Sequence, residues 1–439
     1  MNRTRYSNWQ LWNMSFGLLG INFGWGLQMG NMSAIYEYLG AKPDAIPILW
    51  LAAPLTGLLV QPFIGYFSDH TWCALGRRKP YFLAGAILSA IALLLMPLSS
   101  HVFMAAICLW ILDASVNVSM GPFRALVPDL LPEAQITRGY IFQGIAIAAG
   151  SVASYAFPYI LQHVFGMSQA AAVGSSIPMI VRVSFWLGAV VFLFTILWTV
   201  ITTKELPPQE IIDKLVKKDG DTRSVLREIW DDIVNMPRRM RRLAWVMFFS
   251  WMAFFCVVLY FPITVANNIF GGKPGSATYL NGLEWGGVCL AAYGVFFLIF
   301  SLVMPWFARR FSRRTIYMTS LIIGGLALCS IFLVHDKWNL MWIMLGFGIA
   351  FASMQTMPYA MLTDALPNDK LGIYMGIFNL FIVLPEIAIA LGFGFVMHYI
   401  LHENRMLGVV SGGVFMLIAA ILALRVQKRP PAMMGIENK

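Results

Sequence analysis

The stretch WILDASVNVSMGPFRALVPDLLP, residues 110–132, is long and apolar enough to cross a bilayer, yet it carries Asp113, Asn117 and Arg124. A charged side chain at the bilayer centre costs about 2.5–3.5 kcal/mol on insertion scales, so such groups usually face a polar cavity. A membrane helix that retains an acid and a base therefore points to a protein that moves something polar.

The rest of the chain is consistent with that reading. Of 439 residues 59% are hydrophobic and 12% charged, with a mean hydropathy of +0.70. Apolar runs of 18 or more residues recur, each sufficient for a hydrocarbon core about 30 Å thick. They are continuously apolar rather than alternating every second residue, which excludes a β-barrel. Twelve spans are expected, at roughly 11–37, 46–68, 81–99, 102–128, 139–162, 179–202, 244–266, 283–306, 315–334, 338–363, 371–399 and 407–426. The first lacks a small-residue cleavage site and is too long for a signal h-region, so it is expected to be a permanent helix.

With the amino terminus in the cytoplasm, 25 of the 31 Lys and Arg residues fall on the inner side. Lys42, Lys273, Lys337 and Arg405 are outside, and Arg124 and Arg182 lie within spans. Both termini are thus expected in the cytoplasm, in a cell membrane that is the inner membrane if the source is bacterial. The net charge of +10 is accounted for by these inner loops and implies no nucleic-acid partner. Five scattered cysteines suggest neither a disulfide framework nor a zinc site. No metal or other cofactor is expected. No nucleophile–base set or phosphate loop appears, so the chain is not expected to be an enzyme.

The polar stretch 204–243 separates six spans from six, giving an expected amino-terminal half (1–203), a cytoplasmic linker and a carboxyl-terminal half (244–439). Within the linker Leu226, Ile229, Trp230 and Ile233 recur at helical spacing, which predicts a short amphipathic helix at the inner membrane surface. The halves echo one another. PFRALVPDLLP (122–132) aligns with MPYAMLTDALP (357–367), placing Asp129 with Asp364 and Ala125 with Ala360. GRRKP (76–80) after span 2 has a counterpart, ARRFSRR (308–314), after span 8. Two parallel six-helix repeats are the pattern of the major facilitator fold, an all-α polytopic architecture.

Five blocks in order carry a more specific likeness. They are GINFGWGLQMGNMSAIYEYLG (20–40), LWLAAPLTGLLVQPFIGYFSD (49–69), GRRKP, residues 110–132, and GIFNLFIVLPEIAIALGFG (376–394). Together they resemble the plant sucrose transporters and their relatives, within the wider glycoside–cation symporter group of the major facilitator superfamily. The resemblance implies a proton-coupled disaccharide carrier in which the acid and the arginine of span 4, here Asp113 and Arg124, matter for transport. The chain departs from the usual plant pattern in having Glu386 where a glutamine commonly follows the proline of span 11.

The residues themselves support a division of labour. Asp113 and Arg124 are eleven positions apart, about 16 Å along one helix, too far for an intrahelical ion pair. By residue count Asp113 and Glu386 lie at similar depth, and two carboxyls there without a basic neighbour should not both be ionised. Asp113 is read as the group that takes and releases the coupled proton, with Glu386 as modulator or second site. Arg124 has five fixed donors suited to sugar hydroxyls; the alternative is an arginine snorkelling to the inner interface.

Sugar recognition calls for neutral hydrogen-bonding groups and flat apolar faces. Candidates are Trp25, Gln28 and Asn31 in span 1, with Asn117, Gln143, Trp251, Gln355 and Asn379; any one of these amides could instead bond helix to helix. None of the six histidines lies mid-span, which leaves proton work to carboxylates. Asp69, Arg77 and Arg78 in the loop after span 2 read as a gating latch, completed by Asp129 and by Asp364 in the repeat. The expected partners are a small sugar, protons and the lipid bilayer, with a monomer as the default. Sodium coupling, export of amphipathic compounds and a non-transporting membrane sensor are the alternatives.

Overall fold

Continuous apolar runs fold as long helices because hydrocarbon offers no partner for backbone N–H and C=O groups, which must bond within the segment. A computed structural model describes residues 5–40, 49, 52–167, 177–205, 225–272, 277–363, 366, 370–402 and 404–426, and these are almost wholly helical with no strand among them. Ten helices among the described residues are long and apolar enough to cross a membrane. Two more, Gly17–Tyr38 and Ala52–His70, occupy the first two expected spans and are 22 and 19 residues long.

The helix of span 4, Val102–Leu130, runs unbroken through Pro122 and Pro128. The interruption that Gly121-Pro122 invites is absent, since each proline removes one backbone donor and leaves the rest of the hydrogen-bond ladder intact. Span 11 is less regular. Its helix Leu371–Ala388, with Pro385 inside it, passes into two π-helical turns, Ile389–Phe393 and Val396–Ile400.

The chain divides into two compact units. The first comprises Met1–Gln135, Ala146–Asn235 and Leu366–Asn379, and the second Ile136–Ile145, Met236–Ala365 and Leu380–Lys439. Each unit therefore contains the first turns of one helix whose remainder belongs to the other.

In the first unit the helix of span 4 packs against those of span 2 and span 3 (Lys79–Leu95), and span 1 packs against span 6 (Met179–Thr202). Phe82 and Phe123, both fully buried, stack at 4.1 Å in its core. In the second unit span 7 (Arg238–Thr264) packs on span 12 (Arg405–Ala423), and span 9 (Arg313–Cys329) on span 10 (Leu340–Thr363). Its core is aromatic: Phe254 stacks on Phe351 at 4.9 Å, and Trp251 meets both edge-on. Large apolar side chains such as Ile91, Leu94, Phe194, Ile299 and Leu302 remain exposed, as expected of surfaces solvated by lipid.

The linker helix Val225–Val234 is amphipathic, but its expected apolar stripe is split. Ile229 is buried, whereas Trp230 is 64% exposed. What faces the protein beside Ile229 is Asp232, which accepts from the Lys370 ammonium at 2.7 and 2.8 Å.

Candidate functional site

Asp113 is buried in the middle of the span 4 helix, 3% exposed. Its Oδ1 accepts a 2.8 Å hydrogen bond from the Gln28 Nε2–H of span 1, itself fully buried. Its Oδ2 has no hydrogen-bond partner among the described residues. No ion pair among the described residues includes Asp113. The span 4 acid is thus buried without a counter-ion among the described residues.

One turn further on, Asn117 organises a second polar group. Its Nδ2 donates to the Asp113 carbonyl (2.9 Å) and to Thr56 Oγ1 of span 2 (3.1 Å), while its Oδ1 accepts from Gln61 Nε2 at 2.6 Å. A hydrogen-bonded row therefore joins spans 1, 2 and 4 of the first unit at this level. Arg124, two turns beyond Asn117, is buried at 4% exposure. The side chain does not reach the surface of the described residues, as a snorkelling arginine would.

The remaining candidates in the first unit are half-buried: Trp25, Asn31, which donates to its own helix at Leu27 O, and Asn379. Gln143 and Trp251 are buried and Gln355 and Glu386 half-buried in the second unit. Trp251 Nε1–H has no partner among the described residues. An apolar cavity of about 490 Å³ in the second unit, lined by Met252, Gly392, Phe393, Leu407 and Ser411 among others, has a single hydroxyl in its wall. That hydroxyl donates to Leu407 O, so the cavity lacks the free polar groups a sugar needs.

Asp69, Arg77, Arg78 and Asp129 converge at one end of the first unit. Asp69, at the end of the span 2 helix, accepts from Arg77 Nη2 and Arg78 Nη2, each at 2.7 Å. It also accepts from the backbone N–H groups of Gly372 (2.9 Å) and Ile373 (2.8 Å), the first turn of the span 11 helix. One carboxylate thus answers two guanidinium groups and a helix amino terminus, where partial positive charge favours an anion. Asp129, at the end of span 4, accepts from Arg78 Nε at 2.7 Å and lies 3.8 Å from Arg77 Nη1.

Burial and then the neighbouring Arg78 charge press the Arg77 guanidinium below its usual range. Burial acts against Arg78 too, but Asp129 and Asp69 outweigh it and hold that guanidinium above its usual range. Close helix approach permits the arrangement, since a Cβ on Gly65 or on Gly372 would overlap the other's backbone.

Glu205, just past span 6, was not among the sequence candidates. Its carboxylate accepts from the backbone N–H groups of Arg77 (2.7 Å), Arg78 (3.0 Å) and Lys79 (3.1 Å), capping the span 3 helix. It also packs against Gly76, whose φ of +115° excludes most side chains and where a Cβ would press on Glu205. The one signal in the sequence is its place, an acid immediately after a span in a segment of mixed charge. Thr56, Gln61 and Tyr36 were missed as well.

The repeat has a partial structural echo in the second unit. Arg313 of the ARRFSRR segment donates at 2.5 Å to the carbonyl of Ala360, near the end of span 10. Asp364 lies outside the described residues. Among the described residues no group of three His, Cys, Asp or Glu is placed to hold a metal ion.

Comparison with known proteins places this geometry. A model of the Major Facilitator Superfamily matches residues 14–385 and 282–437. The sucrose transport protein SUC4 of Arabidopsis thaliana is 25% identical over 437 residues, covering 89% of this chain and 85% of that protein. The sucrose transport protein SUT3 of Oryza sativa subsp. japonica is 23% identical over 439 residues, covering 85% and 84%.

Two solved structures share the fold at 14% identity. The proton:xylose symporter XylE superposes with a TM-score of 0.70 over 96% of this chain and 97% of its own. The E. coli fucose:proton symporter FucP does so with 0.71 over 96% and 98%. The chain belongs to the major facilitator superfamily, as a multi-pass membrane protein similar along most of its length to plant sucrose transport proteins.

Proposed function

We propose that this protein is a proton-coupled importer of a disaccharide or related glucoside, of the sucrose or maltose class, working by alternating access. The substrate class draws support from the similarity to sucrose transport proteins over most of the chain. In this reading residues 1–203 and 244–439 are the two six-helix halves, joined by the linker 204–243, with both termini cytoplasmic.

The observation that carries the proposal is Asp113, a buried acid partway across span 4 with one amide donor and no counter-ion among the described residues. An acid so placed is stable when neutral and costly when ionised, so it exchanges its proton only when its surroundings change. Arg124, Asn117, Trp25, Asn31, Asn379, Gln143, Trp251 and Gln355 are the proposed sugar contacts, and Glu386 a second proton site. Asp69, Arg77, Arg78 and Asp129, with Asp364, form the proposed inner gate. Opening inward then requires Asp69 to release Gly372 and Ile373.

The test is labelled sucrose and maltose uptake into proteoliposomes under imposed gradients. Accumulation that needs an inward proton gradient, collapses with a protonophore and ignores sodium is the expected result. Accumulation driven by sodium alone would replace the proton reading with a sodium-coupled one.

A further inference from the structure

The Asp113–Gln28 pair holds one more piece of information, contained in the two atoms its hydrogen bond leaves over. Gln28 Oε1 and Asp113 Oδ2 are both buried, and neither has a hydrogen-bond partner among the described residues. A carboxylate has acceptors only, and an amide oxygen is an acceptor. If Asp113 were ionised, the pair would bury two bare acceptor oxygens, one of them charged, with no donor for either. Unpaired buried acceptors are among the costliest features of a protein interior.

A single proton on Oδ2 changes the count. A neutral carboxyl presents one donor and one acceptor, as does the edge of a primary amide, so the two can share a pair of hydrogen bonds: Nε2–H to Oδ1, already present at 2.8 Å, and Oδ2–H to Oε1. Deprotonation removes the second bond and sets two acceptors against each other.

Among the described residues Gln28 is the side chain that hydrogen-bonds to the carboxyl, at Oδ1, and Oδ2 has no partner. Tyr36, also on span 1, lies within electrostatic reach of Asp113, but its buried hydroxyl has no hydrogen-bond partner among the described residues. From span 2, Thr56 and Gln61 reach Asn117 rather than the carboxyl, and the body of span 3 beyond Tyr81 carries no titratable side chain. On span 4 itself the nearest titratable group is Cys108.

We propose that Gln28 is a positioning residue for the coupled proton: it pairs with Asp113 through two hydrogen bonds only when that acid is neutral, and so reports proton loading to span 1. The inference rests on the proton-coupled reading above and assigns Gln28 to the proton rather than to a sugar hydroxyl. Trp25 and Asn31 flank Gln28 by three residues on either side, so loss of the pair bears directly on the part of span 1 that offers sugar contacts.

The test uses the full chain in proteoliposomes and reads the infrared carboxyl band assigned to Asp113 by its loss in D113N. In Gln28→Met, which keeps length but removes the amide, the carbonyl stretch of the neutral acid should move to higher frequency, because both of its hydrogen bonds to the amide are lost.

An unchanged or lower frequency in Q28M would overturn the proposal, because the neutral acid would then not be bonded to the amide. A thermal unfolding midpoint near that of the wild type shows that the variants are folded; if Q28M fails that control, Q28N, whose amide is one methylene too short for the pair, decides, and a wild-type frequency there refutes the pairing. Uphill accumulation retained in D113N would instead sink the coupling reading itself, so the two failures are separable.

Discussion

Replacing Asp69 by Asn removes one charge and leaves size almost unchanged, which makes the consequence calculable. Asp69 accepts from four donors: two guanidinium N–H groups and the backbone N–H groups of Gly372 and Ile373. Its side chain is 1% exposed and that of Arg78 fully buried, so water does not replace what is lost. Asparagine offers one acceptor oxygen and turns an NH₂ group toward donors. Arg77 and Arg78 then share the Asp129 carboxylate, with Ser68 as a neutral partner to both, and the buried cluster carries one negative charge fewer. Removing one member of a buried ion pair costs about 3–5 kcal/mol. At 1.4 kcal/mol per tenfold, that weakens the hold on the span 11 amino terminus by about 10²- to 4 × 10³-fold.

Hydrogen–deuterium exchange of the purified protein reads this directly. In D69N the amides of Gly372 and Ile373 should exchange about 10² times faster or more, because one neutral amide oxygen replaces the two carboxylate oxygens that accept from them. Amides from Ile377 to Val383, bonded within the helix, serve as the internal reference and should change far less. Wild-type protection at 372–373 in D69N would refute the claim that Asp69 secures this helix.

Three other outcomes follow from the same geometry. Glu205→Ala strips the acceptor from three backbone N–H groups at a partly buried helix start and should destabilise the protein by about 1–2 kcal/mol, read as a lower thermal unfolding midpoint; an unchanged midpoint would mean the cap is idle. Asp232→Ala breaks an ion pair whose lysine side chain is 35% exposed, so the cost should stay below about 1 kcal/mol and uptake should change by less than about fivefold; a larger loss would give the linker helix a role beyond tethering. Gly76→Ala must adopt a left-handed φ and crowd Glu205, so it should lower the unfolding midpoint more than Ala substitution at exposed Gly287, where a Cβ meets nothing within 4 Å.

How much of this was legible in the sequence follows from which signals are local. The spans were readable because an apolar run long enough to cross hydrocarbon has one stable backbone solution. Asp113 stood out because a charge in oil is expensive, and the GRRKP loop because its residues are contiguous. Pairings between distant segments were not readable. Gln28 and Asp113 are 85 positions apart and Glu205 and Arg77 are 128 apart, and no periodicity encodes which helix will lie beside which.

Gln28 stood beside Trp25 and Asn31 as a candidate amide of span 1, but nothing local says that the amide is spent on Asp113. Thr56 and Gln61 are five residues apart and so fall on different stripes of span 2, yet both reach Asn117, one at each end of its amide. The linker helix was foreseen from its spacing, but its inward face was set by Asp232 meeting Lys370, a pairing of residues 138 positions apart.

The central claim, that Asp113 carries the coupled proton, is tested most directly by sugar-evoked current across a membrane holding the purified protein, compared between wild type and Asp113→Asn. The account predicts an inward current on sugar addition in the wild type, and in D113N no current with sugar counterflow intact. A sugar-evoked proton current that survives in D113N would contradict it.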